Sequence, residues 1–232
     1  MNIQHILSLG YQRIFQRWFP RQFKQYRELV YWKSRKVREK ELVNDHYAFF
    51  YTGYFELDEA FYAGKRILDI GCGPRGSLEW AHMAAERVGL DPLVAAYRKL
   101  GIAHHQMTYV NASAERIPFP DAYFDVVCSF NSLDHVDDLQ QTVGEIKRVV
   151  KPGGLFLLIV EANHPPLVTE PVTIHWEDTA LFEDAFKAER VHKYELGDHD
   201  FYQQIAQGCY FDESNPAERS GVQTVKFVRR RA

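Results

Sequence analysis

The feature that most constrains this chain is a succession of short apolar runs, each ending in polar or glycine residues and separated from the next by a helix-like stretch. Arg66–Ile70 (RILDI) ends in a glycine turn, Arg87–Leu90 at Asp91, Met107–Val110 at Asn111, Phe124–Phe130 (FDVVCSF) at Asn131, and Leu155–Val160 (LFLLIV) at Glu161. Between them the spacing predicts helices over Gly76–Ala84 and Leu93–Leu100, the latter closed by Gly101. A further helix is capped by Asp138, carries Leu139, Val143, Ile146 and Val150, and is broken by Lys151–Gly154. A late helix is expected near Asp178–Phe186, with late strands near Arg190–Leu196 and Gln223–Val228. Strands alternating with helices predict a parallel sheet covered by helices on both faces. The unbroken run LFLLIV fits a strand buried on both faces. Ligands of such sheets bind outside the carboxyl ends of the strands. The polar residues Asp69, Asp91, Asn111–Ala114, Asn131–His135 and Glu161–His164 gather at that predicted rim.

Composition narrows the class of protein. The 232 residues are 46% hydrophobic and 25% charged, which suits one sizeable domain with appendages. Cys72, Cys128 and Cys209 are far apart in sequence, without the spacing of a disulfide framework or a zinc knuckle, and Cys72 in the glycine loop and Cys128 in an apolar run read as small buried thiols of a reducing compartment. No apolar run approaches the roughly 20 residues that span a membrane, and the N-terminus lacks the order of a signal peptide. A cytoplasmic protein is expected. The net charge of −3 conceals an asymmetry: residues 1–43 hold ten Lys/Arg against three Asp/Glu, or +7, which leaves −10 for the remainder. This basic arm interleaves Ile14, Phe15, Trp18, Phe19, Phe23, Tyr26, Val30 and Trp32 with its cations. An amphipathic helix of that kind suits a lid on its own domain; it also suits peripheral contact with a membrane surface. The expected division is 1–45, a helical extension and candidate lid, and 46–232, the sheet domain.

Residues 71–76 read GCGPRG, the G-x-G-x-x-G spacing that cradles phosphates in dinucleotide-binding folds. By itself that spacing is weak evidence. Asp69, two residues ahead, would repel a pyrophosphate held by the turn and the following helix. S-adenosylmethionine has no phosphate and carries a sulfonium and an α-ammonium, both of which a nearby carboxylate suits. The glycines remain necessary for close backbone approach. Asp91, twenty residues after Gly71, can accept the hydroxyls of a ribose in either ligand.

ILDIGCG, the acid in VGLDP, AERIPFPDAYFDVV, LDH and EIKRVVKPGGLFLLIVE together resemble the successive motifs of class I S-adenosylmethionine-dependent methyltransferases, most nearly the small-molecule "type 11" group. The resemblance covers about residues 66–161. It implies a Rossmann-like, doubly wound α/β sheet of seven strands, mostly parallel with the last antiparallel, and S-adenosyl-L-methionine as cofactor. It further implies that Asp69, Gly71, Cys72 and Gly73 line the methionine end, that Asp91 holds the ribose with Pro92 beside the adenine, that Ser113 and Ala114 meet the adenine edge, and that Asn131 lies under the sulfonium. Two departures stand out. Arg75 occupies the family's usual third-glycine position, with Gly76 one residue later, and Ser113 replaces a frequent aspartate.

For the acceptor the residues say less. Asp134 and His135 follow the fourth strand, where a general base could take a hydroxyl proton during transfer. They could equally organise the loop into the helix capped at Asp138. His164 and His175 lie on segments expected to roof the site, and His104–His105 on a surface connection. No metal-ligand spacing stands out in the sequence. SFNSLDH lacks the proline–aromatic run typical of base-amino methylation, so nucleic acid is disfavoured. The expected function is methyl transfer to a small-molecule or glycan-like acceptor at a hydroxyl. The alternatives are an NAD(P)-dependent oxidoreductase on the same sheet, or a non-catalytic cofactor-binding domain.

Overall fold

The computed structural model describes residues 18–44, 47–197 and 201–231. Ile14 and Phe15 of the basic arm lie outside the described residues. Seven strands form one sheet: β1 Arg66–Ile70, β2 Glu86–Leu90, β3 Thr108–Val110, β4 Phe124–Phe130, β5 Val150–Ala162, β6 Phe186–Glu195 and β7 Gly221–Arg229. Their order is β3-β2-β1-β4-β5-β7-β6. β1 to β5 run parallel, and β7 is antiparallel to both neighbours, as the resemblance implies. The order reverses between β1 and β4, which opens a crevice at their carboxyl ends.

The period-two geometry of a strand divides LFLLIV between two cores. Phe156, Leu158 and Val160 face one side, against Val143, Ile146 and Val149 of α4, the helix Leu139–Val149. Asp138 caps that helix as expected, its Oδ1 accepting from the Gln141 amide at 2.9 Å. Leu155, Leu157 and Ile159 face the other side. There an aromatic segment supplies Phe50, Tyr51, Tyr54, Phe55 and Tyr62, from the short helix α2 (Ala48–Tyr51) and the two 3-10 turns after it. The long N-terminal helix α1, Pro20–Glu39, packs across the carboxyl ends of the strands. α3 is Val94–Tyr97 and α5 is Phe201–Gln207.

Some boundaries differ from expectation. Gly76–Ala84 is a series of turns and not a helix. Short turns hold it, with the Glu79 amide donating to Gly76 O, the Ala81 amide to Leu78 O and the Ala84 amide to Ala81 O, and the Arg87 guanidinium adds donors to Leu78 O and Glu79 O. These turns and side-chain bonds stand in place of an i→i−4 ladder, and the Glu79 carboxylate accepts from the Gln106 and Met107 amides. Lys151–Gly154 does end the helix, but it belongs to β5 as a bulge, where the register slips between Phe124↔Val150 and Val126↔Leu155. The expected helix near Asp178–Phe186 is a 3-10 helix over Trp176–Phe182, and β6 begins at Phe186.

β7 closes the α4-side core through Phe227, which is fully buried and stacked on Phe156 at 5.7 Å between ring centroids. Truncation there leaves a cavity that Phe182 and Phe186 cannot fill by simple rotation. Phe227→Ala is expected to destabilise the fold by about 3–5 kcal/mol, read as a lowered denaturant midpoint.

Candidate active site

A cavity of about 550 Å³ opens at the carboxyl ends of β1, β2 and β4. The nine residues singled out for cofactor contact, Asp69, Gly71, Cys72, Gly73, Asp91, Pro92, Ser113, Ala114 and Asn131, all line it. Local backbone geometry accounts for the convergence. Gly71, Gly73 and Gly76 have φ of +69°, +56° and +71°, a region that side chains disfavour. A Cβ on Gly71 would lie 2.3 Å from that of Ser132, so the turns after β1 and β4 pack backbone to side chain. Ser132 Oγ donates to Ile70 O at 2.7 Å and ties the two turns together. Asn131 is held at φ +53°, the left-handed region that asparagine tolerates better than most residues. Cys72 turns its sulfur toward Gly89 of β2, so its contribution to the wall is mostly backbone.

Two carboxylates are buried at this turn, and neither has an ion-pair partner among the described residues. Asp69, 2% exposed, accepts from the Tyr51 hydroxyl at 3.1 Å. Burial pushes its pKa up to about 7, opposed by that hydrogen bond. Asp91 accepts from the amides of Leu93 (2.8 Å) and Gly73 (3.2 Å) and from the Tyr97 hydroxyl (3.4 Å). Burial raises it to about 6 against those hydrogen bonds. A site holding two desolvated carboxylates is built for positive charge and hydroxyl donors, and it repels phosphate.

The two candidate catalytic residues diverge. His135 lines the cavity. Its Nδ1 lies 3.0 Å from Glu28 Oε1 of α1, and its Nε2 lies 3.7 Å from Glu170 Oε1. Burial opposes its protonation, yet the Glu28 hydrogen bond and the nearby carboxylates leave its pKa raised. Asp134 lies behind the wall, 1% exposed, with Oδ2 3.3 Å from Nε2 of the equally buried His164. The Asp134 carboxylate raises the His164 pKa to about 9 against burial. His175 sits at the start of the 3-10 helix, and His105 contacts the Tyr109 hydroxyl at 2.7 Å, both away from the cavity.

α1 forms the remaining wall. Trp32 sits directly over Gly73, where a Cβ would come within 2.9 Å of the indole. Arg75, the departure from the glycine pattern, pairs with Glu39 at 2.6 Å, donates to Val43 O at 3.0 Å and lies over the Trp32 ring. Lys24 reaches Asp137 at 2.5 Å. Sequence reasoning missed Tyr51, Glu28, Trp32 and Glu170 as site residues. None lies near a glycine or strand-end motif, and Arg75 alone carried a signal, as an exception to a pattern.

Residues 68–158 match a family described as a methyltransferase domain. Over 94 residues the chain is 39% identical to a malonyl-[acyl-carrier protein] O-methyltransferase of Enterobacter lignolyticus, covering 39% of this chain and 36% of that protein. Over 117 residues it is 36% identical to a ubiquinone/menaquinone biosynthesis C-methyltransferase of Stutzerimonas stutzeri, covering 44% and 43%. The matches thus span less than half of either relative. A crystal structure of an S-adenosylmethionine-dependent methyltransferase from Mesorhizobium loti superposes with a TM-score of 0.54 at 22% identity, over 75% of this chain and 94% of that one, and shares the fold. The buried carboxylates, the positive-φ glycines and the cavity fit S-adenosylmethionine and not a pyrophosphate. Residues 68–158 are thus similar to the methyltransferase-domain family, and they lie in a sheet of order β3-β2-β1-β4-β5-β7-β6.

Proposed function

We propose that this protein methylates a small-molecule or glycan-like acceptor held between the glycine turn and α1. The observation that carries the reading is the pair of buried, unpaired carboxylates, Asp69 and Asp91, facing one cavity with the Gly71–Gly73 backbone. The cofactor supplies an electrophilic methyl group on a sulfonium. Asp69 and the glycine backbone bind its methionine part, Asp91 its ribose, and Ser113–Ala114 the adenine edge. Asn131 and Ser132 shape the floor beneath the reacting centre. The chain's main contribution is alignment of donor and acceptor in a space from which α1 excludes water.

The relatives include both O- and C-methyltransferases, so they support transfer without choosing the acceptor atom. Oxygen is favoured by His135. In its neutral form Nε2 takes the hydroxyl proton, and Glu28 at Nδ1 stabilises the imidazolium that forms. Arg21, Lys24, Arg27 and Arg35 of α1 also line the cavity, which favours an acceptor carrying negative charge.

Three outcomes are expected. A cationic ligand needs Asp69 ionised, whereas the free protein keeps its proton up to about pH 7. Calorimetry should therefore show S-adenosylhomocysteine affinity falling as pH drops from 7.5 to 5.5, by up to about tenfold per unit. Asp69→Asn should bind weakly with that dependence flattened; the same slope in the variant would remove Asp69 from the site. Asp91→Ala should weaken binding by about 1–3 kcal/mol, since ribose hydroxyls lose their acceptor.

The third concerns the arm. Phe23 is buried and Trp32 half-buried, but Tyr26 and Val30 of α1, and Trp18 and Phe19 just before it, are exposed. Deleting residues 1–43 should weaken cofactor retention while the sheet stays folded, because Glu28, Trp32 and Glu39 leave with them. The exposed apolar side chains favour a second role at a membrane surface. Co-sedimentation of the intact chain with anionic vesicles, lost on truncation and reversed by salt, checks it.

A further inference from the structure

Behind the acceptor end of the cavity, side chains from three separate segments converge. Asp134 follows β4, His164 follows β5, and Glu170 comes from the loop that continues from it. One ligand-capable atom from each lies within 4.8 Å of the other two. Asp134 and His164 are almost wholly buried, while Glu170 is partly exposed and lines the cavity. The loop is held in place by backbone bonds, with the Val172 amide donating to Asp134 O and the Thr173 hydroxyl to His164 O.

The polar bookkeeping of this group is incomplete. Among the described residues, Asp134 Oδ1 and His164 Nε2 have no hydrogen-bond partner. His164 Nε2 approaches Asp134 Oδ2 to 3.3 Å without hydrogen-bond alignment. The other ring nitrogen, Nδ1, lies 2.9 Å from Pro165 O. With Nδ1–H donating to that carbonyl, Nε2 is the nitrogen whose proton an incoming cation can displace to expose a lone pair, the arrangement in which imidazoles bind metals. A positive charge must lie between that nitrogen and the Asp134 carboxylate, either the Nε2 proton or a cation that takes its place.

We infer that Asp134, His164 and Glu170 bind one divalent transition-metal cation at the acceptor end of the cavity. The 3.3 Å separation matches the edge of a coordination sphere, about 3.0–3.4 Å for bonds of about 2.0–2.2 Å. One imidazole and two carboxylates suit zinc, manganese or ferrous iron better than the oxygen-seeking magnesium and calcium. Two carboxylates neutralise the cation's charge. Three protein ligands leave positions on the Glu170 side, facing the cavity, where an acceptor oxygen can bind and lose its proton more readily. These side chains are not those assigned to the cofactor, so the inference does not depend on Asp69 or Asp91.

Untagged full-length protein, stripped with chelator, is titrated with Co²⁺ by visible absorption and calorimetry, with Zn²⁺ as competitor. The expected result is saturation at one equivalent per chain, displacement by Zn²⁺, and affinity at least tenfold weaker in both His164→Gln and Glu170→Gln. S-adenosylhomocysteine binding and the melting transition are followed in each variant as tests of fold. Glu170 is a partly exposed loop residue; if His164→Gln unfolds, Glu170→Gln and Glu170→Ala carry the comparison. Cofactor binding without saturable Co²⁺ binding up to millimolar metal would overturn the inference and leave Asp134–His164 as a buried ion pair. Equal Co²⁺ affinity in wild type and variants also overturns it, because the ion then sits elsewhere. Stoichiometric Co²⁺ binding, weakened in the variants, supports the metal site even in a protein that takes up no S-adenosylhomocysteine, a result that would count against the cofactor reading alone.

Discussion

The close approach of the β1 and β4 turns underlies the site. Gly71 has no side chain, so Ser132 can lie against its backbone and bond to Ile70 O. A single Cβ at Gly71 would separate these turns and open the floor of the cavity. With the turns locked together, Asp69 is held in the central strand between Gly89 and Cys128, and Asn131 is forced into its left-handed conformation beside it. The buried charge of Asp69 follows from its place in the sheet: a central parallel strand has no solvent face on which to ionise.

The substitution at the third glycine position acquires a physical meaning in this setting. Arg75 extends away from the turn and grips the C-terminal end of α1 through Glu39 and Val43 O, while Trp32 covers Gly73. The glycine turn thereby both lines the cavity and anchors the covering helix. At the opposite end Lys24 and Glu28 reach Asp137 and His135, so α1 spans the cavity between two polar attachments. The half-buried Trp32 contact and the well-shielded Arg75 side chain supply the stronger fixation.

The same sheet serves O- and C-methylation among the relatives, which is consistent with chemistry residing in the segments beyond the strands. In this chain those segments are α1 and the loop from Asn163 to His175. They bring basic residues, Glu28 and Glu170 to one side of the cavity, whereas the strand ends present the wall that holds Asp69 and Asp91.

Strand positions and the Asp138 cap were legible from local pattern, because each depends on periodicity or on a motif within a few residues, whereas the antiparallel final strand and most of the nine cavity-lining residues came from the resemblance of successive motifs to a known family. The helix expected at Gly76–Ala84 failed for a matching reason: short turns and the Arg87 guanidinium satisfy that backbone, the latter through contacts that no local pattern records. The basic arm could be recognised as amphipathic, but the exposure of Trp18, Phe19, Tyr26 and Val30 could not be foreseen from spacing. His164 and Glu170 stood 30 and 36 residues from Asp134 with no shared motif. Their convergence arises because β4 and β5 are parallel neighbours that deliver their carboxyl ends to one edge, where the loop after β5 folds back over the loop after β4. Sequence periodicity encodes which residues enter a strand, while the pairing of distant strands brings remote side chains within bonding distance.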